Sequence, residues 1–363
     1  MSTTSRLKPL KPLKALTTFR TFTAATGALA AAGLAAGAFS AFSRMHYRRS
    51  ASATLVEYGT LPVKKLTSRV PIAERIAWMT NRPEPRRAVA FPAWGRLFYD
   101  LERNEDDGMP VYTLRPHSPS DTIIVYLHGG GYVSTAVLPH SLLVDTLARK
   151  TGADVVMPLY PLAPHHTWQE AHQLVLNLYL RILSENPDKR IILMGDSSGG
   201  GLAAVIALSL AERGIRQPDE LILLSPWVDV THTNPDIADY VDVDPLTVIG
   251  QTWAGETPTT DWHLSPIYGD LSALERVTTF VGSREIFLPD NSLFHAELIK
   301  AGTHSTLHIG ENLNHVYPMS PTPEGRRARE EIIRIITGSP AVENCQPDQT
   351  DQTGTARTPA VTE

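Results

Sequence analysis

The chain has 363 residues, 42% of them hydrophobic, with a formal net charge of -5 and a pI near 6.2. Such a balance offers no cationic field for nucleic acid, and the only cysteine, Cys345 in a polar tail, leaves no intramolecular disulfide and no cysteine-rich metal site. With no internal repeat, no H-E-x-x-H and no G-x-x-x-x-G-K-[ST], the sequence calls for neither metal nor cofactor, and its length suits one catalytic domain with tails.

The first 56 residues contain no Asp or Glu. Residues 1–20 are basic, through Arg6, Lys8, Lys11, Lys14 and Arg20, and an uncharged stretch then runs from Thr21 to Ser43 before Arg44, Arg48 and Arg49 close it. That stretch matches the roughly 20 residues a helix needs to cross a bilayer, so a single-pass anchor over 21–43, a membrane partner and an endoplasmic reticulum location are expected. A mitochondrial presequence is the alternative, since it also explains the missing acids. Positive charge on both flanks leaves the orientation unread.

From Ile72 to Met79 apolar residues recur at helical spacing. Beyond it, strand-like and helical runs alternate: Thr122–Leu127, Asp154–Met157, the helical run Trp168–Leu183, Arg190–Met194, a small-residue helix ending near Arg213, Leu221–Leu224, Thr278–Gly282, the helical run Ser292–Lys300, Thr306–Ile309 and a last helix over 324–336. This predicts an α/β fold with a mainly parallel sheet covered by helices on both faces. His165-His166 sits beside a proline turn and reads as loop. Residues 231–262 interrupt the alternation, and residues 338–363 have a disordered composition.

Two motifs carry chemistry. Gly195-Asp196-Ser197-Ser198-Gly199 joins a strand to a helix, as a nucleophile elbow does, and the sharp turn leaves no room for side chains at its two glycines. Such a string arises by chance about 0.1 times in a chain of this composition, whereas His128-Gly129-Gly130-Gly131-Tyr132 after the first strand should arise only about 0.004 times. Acyl transfer builds negative charge on the former carbonyl oxygen, and backbone N–H groups of a glycine loop approach it without a Cβ in the way. Gly130, Gly131 and Ser198 are therefore assigned to an oxyanion hole, Gly129 to the turn, and His128 to ordering the loop. Ser197 is the candidate nucleophile.

In the α/β-hydrolase arrangement the chain order is serine, acid, histidine. Of the later histidines, His295, His304 and His308 fall on or beside regular elements, while His315 lies in a loop between the last strand and the last helix, where an imidazole can reach the serine. His315 is the candidate base. Two carboxylates follow the strand Thr278–Gly282. Glu285 is favoured as the acid; Asp290, after Pro289, reads as a helix cap and is the alternative.

These residues resemble the hormone-sensitive-lipase-like family of α/β-hydrolases over roughly residues 100–337. Beside the glycine loop and the elbow, Tyr160-Pro-Leu-Ala-Pro164, Ser225-Pro-Trp-Val-Asp229 and Ala301-Gly302 fall where that family has similar strings. The resemblance implies a catalytic domain over 55–337 whose cap is built from about 55–105 and 229–265. It also implies a serine esterase or deacetylase acting on an apolar small-molecule or lipid ester. The family commonly has aspartate in a D-P-L setting, and Glu285-Ile-Phe-Leu-Pro departs from it in a way similar to the fungal steryl acetyl hydrolase branch. The rival expectations are an acyltransferase or amidase with the same triad, and a non-catalytic ligand-binding member of the fold.

Overall fold

The computed structural model describes residues 35–67, 70–84, 87–237 and 243–339. Its centre is an eight-stranded sheet in the order β1-β2-β4-β3-β5-β6-β7-β8, formed by β1 (Tyr99–Asp106), β2 (Met109–Pro116), β3 (Thr122–Leu127), β4 (Asp154–Pro158), β5 (Arg190–Asp196), β6 (Glu220–Leu224), β7 (Arg276–Gly282) and β8 (His304–Gly310). β2 is antiparallel to both β1 and β4, and β3 through β8 pair in parallel. The chain is an α/β fold of the predicted kind.

Successive side chains of a strand point to opposite faces, and here both faces are buried. Ile123, Val125 and Leu127 join one core with α5 (Trp168–Glu185), α6 (Ser197–Glu212) and α8 (Leu288–Lys300). Ile124 and Tyr126 join a second core with α4 (Leu138–Thr151) and α9 (Pro323–Thr337). A strand wet on neither side has no use for polar residues, hence the near-continuous Val/Ile/Leu runs of β3, β5 and β6.

Residues 99–116, assigned in part to the cap and otherwise unassigned by sequence, form the β1–β2 hairpin. Its turn is Asp107-Gly108, with φ of +49° and +79° in a two-residue loop between Asp106 and Met109. Positive φ at both central residues is the hairpin geometry that matches strand twist, and Asp-Gly is its favoured dipeptide.

At the amino end, α1 (35–47) turns at Arg48 into α2 (Ala51–Thr67), followed by α3 (Ile72–Thr80). The expectations of a transmembrane anchor, a membrane partner and a membrane location are corrected: among the described residues no helix is long and apolar enough to cross a membrane. The described part of the stretch lies in the helix over 35–47, well short of the roughly 20 residues a span needs. Of that stretch, residues 21–34 lie outside the described residues, as do the basic segment 1–20, on which the mitochondrial alternative leaned, and 340–363 of the tail. α3 packs against α7 (Val243–Ala254), which belongs to the segment that interrupts the alternation; residues 238–242 there also lie outside the described residues.

Candidate active site

β5 runs straight into α6, and the junction is Ser197, whose φ of +50° is a conformation that non-glycine residues adopt only under constraint. A Cβ on Gly195 would stand 2.3 Å from the Gly199 carbonyl oxygen, and one on Gly199 would stand 2.2 Å from that of Leu127. Both glycines are thus required by close backbone approach. The N–H of Ser198 lies in the first turn of α6, where helical amides have no intrahelical acceptor, and Ser198 Oγ accepts from the Tyr132 amide at 3.2 Å.

The glycine loop leaves β3 beside the elbow. Gly130 has φ +138° and a Cβ there would lie 2.2 Å from the Ser134 carbonyl oxygen, whereas a Cβ on Gly131 would meet nothing within 4 Å, so that residue faces open space. Asp196 ties loop to elbow: its Oδ1 accepts from the Gly129 amide at 2.8 Å and the Tyr126 hydroxyl at 2.5 Å, and its Oδ2 faces His140 Nε2 at 3.4 Å. Burial alone would raise this carboxyl, yet the His140 contact and the Tyr126 and Gly129 bonds outweigh it and hold the group below its usual value. The same contact, against the cost of burial, raises His140.

His128 is fully buried, its Nδ1 donating to the Gly129 carbonyl at 2.8 Å and its ring stacked on Tyr160 at 4.5 Å between centroids. Burial pushes its imidazole down to about 4, so it is neutral near pH 7 and anchors the loop rather than moving protons.

His315 comes from the loop after β8. Its Nε2 lies 3.0 Å from Ser197 Oγ, and its Nδ1 donates to Glu285 Oε2. Glu285 is buried, and its other oxygen accepts from the Ser225 hydroxyl and the Gly282 amide, both at 2.6 Å. Ser225 in turn accepts from the Val316 amide at 3.0 Å, and Val316 has φ +52°. The structure therefore brings Ser197, His315 and Glu285 together in one line. Asp290 stands elsewhere, inside the first turn of α8 rather than capping it, with Oδ1 accepting from Asn234 at 2.8 Å.

Residues that sequence reasoning missed are the supports: Ser225, Tyr126 and His140. Ser225 lies in a string noted only for its resemblance, and no local pattern marks Tyr126 or His140. The histidine pair divides, His166 bridging Glu84 at 3.1 Å and Glu170 at 2.6 Å, which ties the segment after α3 to the start of α5. Beside the glycine loop lies a cavity of about 360 Å³, walled mainly by apolar groups of Trp78, Met79, Pro83, Val133, Leu162 and Ala163, with Arg82, Arg87 and Glu84 among its polar members.

The sequence model of the alpha/beta hydrolase fold matches residues 124–319. Among curated relatives, an esterase of Acinetobacter venetianus is 30% identical over 62% of this chain and 77% of its own, and an acetyl-hydrolase of Streptomyces hygroscopicus is 29% identical over 72% and 93%. A solved hormone-sensitive lipase from a metagenome library superposes with a TM-score of 0.63 at 27% identity, covering 76% of this chain and 95% of that one. The chain belongs to the α/β-hydrolase fold family, among its hormone-sensitive-lipase-like members.

Proposed function

We infer that this carboxylic-ester hydrolase works through Ser197, His315 and Glu285 and acts on an apolar small-molecule or lipid ester. The observation that carries the reading is the unbroken chain from Ser197 Oγ to His315 Nε2 at 3.0 Å and from His315 Nδ1 to Glu285. His315 takes the Ser197 proton as Oγ attacks the acyl carbon, and Glu285 holds the imidazole in the required tautomer and stabilises the imidazolium. The oxyanion meets the amides of Gly130, Gly131 and Ser198, which are fixed before reaction and therefore need no reorganisation. His315 then protonates the leaving alcohol. Water repeats the sequence on the acyl-enzyme and releases the acid.

The apolar substrate is supported by the cavity against Val133 and Thr135, which follow the glycine loop, where Trp78, Met79 and Leu162 offer surface to a hydrocarbon group. The relatives named esterase and acetyl-hydrolase support a short acyl group. The α3–α7 pair over this side of the sheet fits the cap, with 55–337 as the catalytic unit. The test is hydrolysis of an acetate series with alcohols of rising apolar size, by the wild-type protein and Ser197→Ala. Expected is a kcat/KM that rises with apolar size, and a loss of at least about 1000-fold in the variant. Equal rates in the two proteins would sink the mechanism, while a preference for small polar alcohols would sink only the substrate class.

A further inference from the structure

The amino-terminal hairpin of α1 and α2 makes a polar attachment to the two loops that carry Glu285 and His315. Arg49, at its bend, has a side chain only 1% exposed, an unusual place for a guanidinium. Its Nη1 donates to the Asn312 carbonyl at 3.1 Å, its Nε to Thr54 Oγ1 at 3.1 Å, and it forms an ion pair with Glu57 of α2. Glu57 also accepts from Arg284 at 3.0 Å. Arg284 is the residue before Glu285, and its amide donates to the Leu313 carbonyl at 3.0 Å. Asn312, in a left-handed conformation with φ +58°, donates its own amide to Ser283 Oγ at 2.7 Å. Arg49 and Glu57 thus hold the 283–285 and 312–315 loops from outside, while Glu285 and His315 meet inside them. Next to Arg49, the Ser50 amide and hydroxyl both donate to Glu324 of α9, each at 2.8 Å, which fixes the bend to the body of the protein.

A buried charge is costly unless paired, and a hydrophobic residue fills such a site more cheaply when only packing is needed. What a charged pair with several directed bonds supplies instead is geometry, and here the geometry belongs to loops whose side chains must sit within a few tenths of an ångström for proton transfer. We propose that Arg49, with Glu57 and Arg284, is a positioning element for the triad, so that the amino-terminal hairpin is part of the catalytic apparatus rather than a separable leader. The proposal rests on Ser197, His315 and Glu285 being the triad.

The test compares Arg49→Ala, Arg49→Lys and Glu57→Gln in the full chain, with Arg48→Ala at the neighbouring exposed arginine as control. Steady-state rates on a soluble acetate ester are normalised to the serine titrated by a fluorophosphonate, so that unfolded protein does not count. Expected is a kcat per titrated site at least about tenfold lower in Arg49→Ala, KM within about twofold, partial recovery in Arg49→Lys, and wild-type behaviour in Arg48→Ala. A kcat per site within about twofold of wild type in Arg49→Ala, or an equal loss in Arg48→Ala, overturns the proposal. Should Arg49→Ala fail to fold, Glu57→Gln, at a less buried position, carries the same prediction. Undiminished activity in Ser197→Ala would instead remove the triad itself, an outcome separate from a normal Arg49→Ala.

Discussion

Glu285 has both carboxylate oxygens committed, one to His315 and the other to Ser225 and Gly282, so its orientation is set by the turn in which it stands. The glutamate side chain spans from that turn to the imidazole. Glu285→Gln keeps the shape but removes the charge that stabilises the imidazolium, and kcat should fall by about 100-fold or more. Asp290→Asn should cost less than about threefold, and side-by-side kinetics checks both. Ser225→Ala removes the acceptor of the Val316 amide and leaves one Glu285 oxygen with the Gly282 amide but no hydroxyl, with an intermediate loss expected. The Ser197, His315 and Glu285 cluster was legible because a contiguous motif and a fixed chain order locate each member. Ser225 and Arg49 were not, because their partners stand 60 and 263 residues away and no local pattern records such a contact.

Among the elements, the elbow is where sequence and conformation are most tightly coupled. Gly199→Ala would press a methyl group to within 2.2 Å of the Leu127 carbonyl oxygen and 2.4 Å of that of His128, pushing the elbow away from the end of β3 that leads into the glycine loop. A stability loss of about 2 kcal/mol or more, seen as a lower denaturation midpoint, should accompany a fall in kcat. If both stayed unchanged, the close packing of strand and helix here would be wrong. The β3, β5 and β6 strands and the helices α5 and α9 were legible because burial on two faces or one produces strong hydrophobic patterns. β1 was not: it is a polar edge strand, Tyr-Asp-Leu-Glu-Arg-Asn-Glu-Asp, whose charges suit an exposed edge and hide it from any hydrophobic count. Asp107-Gly108 was the signal that could have revealed it.

For the whole molecule, the fold class followed from alternation, whereas the amino terminus did not, because an uncharged run between basic residues does not by itself fix a helix long enough to span, and the described helix there covers only 35–47. Stability as a function of pH depends on Asp290. Burial, aided by the Asp229 charge and only partly offset by Asn234, pushes its carboxyl up to about 6 from 3.8. Between those values the native state binds more protons than the unfolded chain, so this residue's contribution falls as pH rises and is fully lost above 6. Asp290→Asn should therefore match the wild type near pH 4 and exceed it by about 1–3 kcal/mol at pH 8, as read by urea unfolding. A variant less stable than wild type at pH 8 would contradict that linkage.

The central claim is that one serine, activated by one histidine, carries the acyl group. It is tested most directly by treating the protein with a fluorophosphonate and mapping the adduct by peptide mass spectrometry. A single adduct is expected on Ser197, absent in Ser197→Ala and formed at least about 100-fold more slowly in His315→Ala. An adduct at another residue, or labelling of Ser197 at an unchanged rate without His315, would contradict it.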